Sequence, residues 1–202
     1  MTNPDELELM QSIKTKWGAK IDAACKTSSV PPAFLAALIA NESGGDLNAK
    51  RFEPSVLIAL WNVLAGRKTA FGSIGHDAII GSVVAAAAAV AMPPYGQAAP
   101  ISAALQQLDS LATSWGLTQV MGYYALDPSI GGSLLAIRTP EGQLALTLRR
   151  LAQCTASFDL DLTKDFEAML RCWNGGHPTA ATADPQYVPN GLARLAIYEG
   201  LA

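Results

Sequence analysis

The sequence predicts a mainly α-helical fold, one domain over residues 1–202 with at most a short β-hairpin. Three observations carry this. Apolar residues recur at helical spacing along most of the chain, Pro and Gly punctuate those stretches at starts and ends, and no run of four to eight residues alternates convincingly. The composition agrees: of 202 residues, 35 are Ala and 25 Leu, half are hydrophobic and 15% are charged. Soluble domains carry about 25% charged residues, and disorder needs few apolar residues and many charges, so a packed core is expected.

A first helix opens with Asn3 as cap, Pro4 at the first helical position and Asp5 and Glu6 in the first turn; its stripe is Leu7, Met10, Ile13, Trp17, Ile21 and Ala24. A second starts near Ser29-Val30-Pro31-Pro32, runs through residues 34–40 to Asn41-Glu42, and ends at Gly44-Gly45. Pro54 opens a third, with Val56, Leu57, Leu60, Trp61 and Leu64 on one face. Residues 66–77 are the place for a hairpin. An alanine-rich helix over 78–92 follows, stopped by Pro93-Pro94. Further helices are expected at about 100–112, 140–153 (with Thr139-Pro140-Glu141 as its start signal), 163–173 and 190–200.

Several function classes are disfavoured. Fourteen bases against seventeen acids give a net charge of −3, which supplies no basic field for nucleic acid. The longest apolar run, Ala78 to Met92, has fifteen residues. A membrane span needs roughly 20, so a buried helix is expected and no stable membrane insertion. Cys25, Cys154 and Cys172 lack zinc spacing, and His76 and His177 are the only histidines, so no metal or cofactor is implied. The cysteines read as buried apolar thiols. The start Met1-Thr2-Asn3-Pro4-Asp5-Glu6 has neither the basic nor the apolar region of a signal peptide. The expectation is synthesis in the cytoplasm without a cleavable export signal, or a chain from which one was removed.

Among the acids, Glu42 stands apart. It falls three residues after Ile39, four after Leu38 and seven after Leu35, so it continues an apolar stripe. It also lies in the last helical turn, where the macrodipole disfavours negative charge. Burial and dipole both favour the protonated acid, which is what breaking a glycosidic bond requires, because the leaving oxygen must receive a proton. A structural glutamate holding a neighbouring loop is the alternative.

Four short motifs surround it: Glu42-Ser43-Gly44-Gly45, then Arg51-Phe52-Glu53-Pro54, then Ser114-Trp115-Gly116-Leu117-Thr118-Gln119-Val120-Met121-Gly122, and finally Cys172-Trp173-Asn174-Gly175-Gly176 with Tyr187-Val188. In this order, over about residues 30–200, the chain resembles the lysozyme-like superfamily that cleaves peptidoglycan. The resemblance is nearest to the N-acetylmuramidases of phage endolysins and to soluble lytic transglycosylases. It implies a lysozyme-like helical domain with Glu42 as general acid. It further implies that Ser114, Gly116, Gln119 and Met121 line a sugar groove, and that Asn174 and Tyr187 orient the acetamido group or the acid. Trp173 departs from the Tyr or Phe usual at its position. Tyr123 and Tyr124 follow the groove stretch, either to stack on sugar rings or to pack in the core.

Glu53 is the second carboxylate, either facing the groove to activate water or serving as a favourable charge before the Pro54 helix. The reading is therefore an enzyme that cuts the β-1,4 bond between N-acetylmuramic acid and N-acetylglucosamine. A hydrolase uses water and a second carboxylate; a lytic transglycosylase lets the muramic 6-hydroxyl attack and leaves 1,6-anhydro ends. Glu53 favours the hydrolase. The rivals are a non-catalytic peptidoglycan-binding module and a chitinase-like specificity. The expected partner is the glycan strand of the bacterial wall, reached as a phage endolysin or a secreted effector. The sequence pI of 5.3 leaves binding to groove contacts rather than long-range attraction.

Overall fold

The computed structural model describes residues 4–90 and 98–201. The expected Asn3 cap and the Pro93-Pro94 stop lie outside the described residues. Nine α-helices are present among those described: α1 (Pro4–Cys25), α2 (Pro32–Ser43), α3 (Pro54–Leu64), α4 (His76–Val90), α5 (Ala98–Leu111), α6 (Leu134–Ile137), α7 (Pro140–Phe158), α8 (Phe166–Gly175) and α9 (Tyr187–Glu199). The chain is mainly α, as expected.

The start signals act as read. Thr139 accepts from the Gly142 N–H at 3.2 Å, with Pro140 at the first position of α7. Gly44 closes α2 in the left-handed conformation at φ 61°. Helix α2 is buried on every side: the eight residues from Ala33 to Ala40 are all in the core. A helix apolar all round belongs at the centre of a domain, and α1, α7, α8 and α9 pack about it into one cluster that includes Trp17, Phe34, Leu148, Leu170 and Leu195. A second cluster joins α3, α4 and α5 through Leu60, Val63, Ile79, Val83 and Leu108.

Four expectations are corrected. The hairpin is present as β2 (Ala70–Phe71) and β3 (Ile74–Gly75), but a second sheet was not foreseen. It is antiparallel, in the order β1-β4-β5, from β1 (Lys50–Phe52), β4 (Thr113–Trp115) and β5 (Val120–Met121). Its strands are two or three residues long, too short for alternation to register. Second, the alanine-rich helix is not buried. Only Ile79 and Val83 of α4 are core residues, and Val84 is 55% exposed. Alanine's high helix propensity sustains the helix without full burial.

Third, Cys154 and Cys172 are not separate thiols. They form a disulfide between α7 and α8, with their Cα atoms 6.6 Å apart, inside the range that disulfides occupy. Only Cys25 is a free buried thiol, and burial pushes its pKa up to about 11. Fourth, Trp61 of α3 does not join the buried face expected of it and is 47% exposed.

Candidate active site

Sheet β1-β4-β5 sets one wall. Arg51 pairs directly with Ser114, and Ser114 with Met121, so these three side chains form a row on one face. Lys50 and Trp115 pair on the other face, the ammonium 4.7 Å from the ring centre. The row is tied to α2 through the β4–β5 connection: Ser43 Oγ, one residue after Glu42, donates to the Leu117 carbonyl at 2.8 Å. The Arg51 charge acts on the Glu42 carboxyl and favours its anion.

Glu42 is partly buried in the last turn of α2. The Tyr187 hydroxyl, from the first residue of α9, donates to Glu42 Oε1. Trp173, from α8, also favours the Glu42 anion and lowers its pKa. Burial dominates and pushes the Glu42 pKa up from 4.5 to about 7, while Tyr187, Arg51 and Trp173 each pull it down. Tyr187 is itself buried, and desolvation together with the Glu42 charge raises its pKa, so it remains a donor.

Glu53 lies just before α3 in extended conformation, with no side-chain bond to the helix N-terminus. Its Oε1 accepts from Arg51 Nε at 2.6 Å, and its backbone N–H donates to Ala112 O at 2.9 Å. Arg51 thus acts on both carboxylates: bonded to Glu53, and on Glu42 through its charge.

The remaining candidates divide. Ser114 is buried, and its hydroxyl reaches Gln119 Oε1 at 2.9 Å and Arg51 O at 3.2 Å. Gln119 Nε2 donates to Gly116 O at 3.0 Å, so both ends of this amide bond within their own loop. Gln119 also has φ 51°, in the left-handed region unusual for a side-chain-bearing residue. Gly116 has φ 64°, and a Cβ there would come within 2.1 Å of the Gln143 side chain. Met121 is partly buried. Tyr123 packs edge-on against Phe71, ring centres 5.0 Å apart, beside the second core cluster. Asn174 is exposed in the last turn of α8; its neighbour Trp173, the departure from the usual pattern, is the residue that favours the Glu42 anion.

Sequence reasoning missed four residues. Arg51 was quoted only as part of a motif. Gln143 is buried in α7 and clasps the 116–117 turn, accepting from Leu117 N at 2.9 Å and donating to Ile137 O at 2.7 Å. Asn41 holds the Tyr187 carbonyl and is itself held by Arg194. Polar residues set among apolar helical positions, as with Gln143 beside Leu144, were the available signal.

Among the described residues, no group of three or more His, Cys, Asp or Glu side chains is placed to hold a metal ion. No helix among them is long and apolar enough to cross a membrane. No family model, no curated protein and no solved structure matches the chain.

Proposed function

We propose that this protein has a lysozyme-like catalytic domain that cleaves the β-1,4 bond between N-acetylmuramic acid and N-acetylglucosamine in peptidoglycan, with Glu42 as general acid. The observation that carries the reading is the Glu42 carboxyl, held protonated up to about pH 7 by burial, yet surrounded by groups that favour its anion. That combination suits an acid which must first keep a proton and then give it up. As the glycosidic oxygen takes the proton, the new carboxylate is met by the Tyr187 hydroxyl, the Trp173 indole and the Arg51 charge. A general acid works best with a pKa near the working pH. The four motifs in family order support the same assignment.

In the hydrolytic form Glu53 assists water or the developing cation. One observation favours the transglycosylase form instead. The Glu53 carboxylate is held by Arg51 at 2.6 Å, whereas intramolecular attack by the 6-hydroxyl needs no second carboxylate. In that form the Glu42 carboxylate takes up the hydroxyl proton as the 6-oxygen closes on C1.

The test is digestion of purified sacculi followed by mass spectrometry of the soluble products. Muramic acid at the newly formed ends is expected. Binding to sacculi without release of fragments would replace this reading with the non-catalytic module.

A further inference from the structure

Tyr187 is gripped at both ends by two consecutive residues of α2. Its hydroxyl rests on Glu42 Oε1, and its backbone carbonyl accepts from Asn41 Nδ2 at 2.8 Å. The other end of the Asn41 amide, Oδ1, accepts from Arg194 Nη1 at 2.8 Å. Arginine can only donate and a carbonyl can only accept, so the orientation of this amide is unambiguous. Arg194 is in turn fixed by Glu6 at the start of α1, through a two-point contact at 2.7 and 2.9 Å. Its side chain is only 14% exposed.

The helix geometry is built for this. Tyr187 and Arg194 are seven residues apart on α9, two turns along the same face. Between them, Gly191 lets α9 press onto α2, because a Cβ there would meet Asn41 Nδ2 at 3.0 Å and a Leu170 methyl at 2.6 Å.

We propose that Arg194, acting through Asn41, is the positioning residue that fixes the Tyr187 hydroxyl on Glu42, with Glu6 anchoring the chain to α1. The proposal rests on the reading of Glu42 as the acid for its functional meaning, but not for its geometry. The charged and titratable groups that act on Glu42 are Tyr187 from α9 and Arg51 from β1; Arg194 is connected to it only through the Asn41–Tyr187 link. Without Arg194, the Asn41 amide is held only through Nδ2 on the Tyr187 carbonyl, and α9 loses one tie to α2. The phenol then donates less well, and the Glu42 anion loses support.

The experiment follows the Glu42 carboxyl by carbon-13 NMR in the full chain, comparing wild type, Arg194→Met, Asn41→Ser and Glu6→Gln. Expected is an upward shift of the Glu42 titration by about half a unit to one unit in Arg194→Met and Asn41→Ser. Glu6→Gln, which keeps the Arg194–Asn41 bond, is expected to shift it much less. The alkaline limb of sacculus digestion should move with the titration in each variant. An unshifted Glu42 in folded Arg194→Met overturns the proposal; should that variant not fold, an unshifted Glu42 in Asn41→Ser overturns it equally. If wild-type protein digests nothing, the glycosidase reading fails while the NMR titration still decides the clamp.

Discussion

The Tyr187 hydroxyl donates to the carboxyl of Glu42 across 145 positions of sequence, and the two side chains explain each other. A carboxyl carried into the apolar end of α2 resists ionisation, and a buried phenol needs an acceptor. Joined, they give an acid whose proton is held loosely near neutral pH.

Glu42→Gln keeps the shape and removes the transferable proton. Release of fragments from sacculi should fall by at least ~10²-fold, the scale of a general-acid contribution. The fold should survive, since the amide can still accept from Tyr187. Near-native release by the folded variant would remove Glu42 from the mechanism.

The raised pKa of Glu42 has a definite sign for stability. A folded-state value of about 7 against 4.5 means that the protonated side chain favours folding, fully so below about pH 4.5. That contribution is lost as the pH rises through about 7. Urea unfolding should therefore show wild type losing ~1–3 kcal/mol relative to Glu42→Gln between pH 4.5 and pH 7.5. Parallel stability curves for the two proteins would contradict the assignment.

The Cys154–Cys172 bridge closes a loop of eighteen residues between α7 and α8, worth ~3 kcal/mol on the loop-entropy scale. Dithiothreitol, or the Cys154→Ala/Cys172→Ala double variant, should lower the melting temperature by about 5–10 °C. A melting temperature indifferent to reductant would show that the bridge does not contribute. Trp173 adjoins Cys172, so sacculus digestion should weaken along with stability.

Gln119→Ala should act first on stability. It removes one of two partners from both the Ser114 hydroxyl and the Gly116 carbonyl, which keep the Arg51 carbonyl and the residue-119 backbone N–H, at a cost of about 0.5–1.5 kcal/mol. Gly116→Ala should cost more, because its new methyl meets Gln143 and its backbone is left-handed. Calorimetry with chitooligosaccharides on Gln119→Ala separates the roles: weaker binding at unchanged stability would return Gln119 to the sugar groove.

Glu53→Gln breaks the charge pairing with Arg51 and distinguishes the two mechanisms. In the hydrolase, turnover should fall strongly with binding nearly intact, the pattern of a group acting in the transition state, and wild-type products should carry reducing muramic ends. Products lighter by one water, with Glu53→Gln nearly as active as wild type, would assign Glu53 to holding Arg51.

The sequence by itself determined the helices and singled out Glu42 as an unusual carboxylate. Thr139-Pro140-Glu141, Pro54 and Gly44 act within a few residues, so local stereochemistry places their helix ends. Glu42 was legible because its oddity, a carboxylate on an apolar stripe at a helix end, is also local. Tertiary structure alone decided what surrounds that carboxylate. Arg51 is paired with Ser114, sixty-three residues away, because β1 pairs with β4 through strands too short to leave a pattern. The polar atoms of Ser114 and Gln119 bond to one another and to the Gly116 carbonyl, because a loop in left-handed conformation must satisfy its own donors and acceptors. The Asn41–Arg194–Glu6 chain joins three helices whose order in space no periodicity records. Hydrogen bonds between residues so far apart follow from how the helices pack, and packing is a property of the whole chain rather than of any window within it.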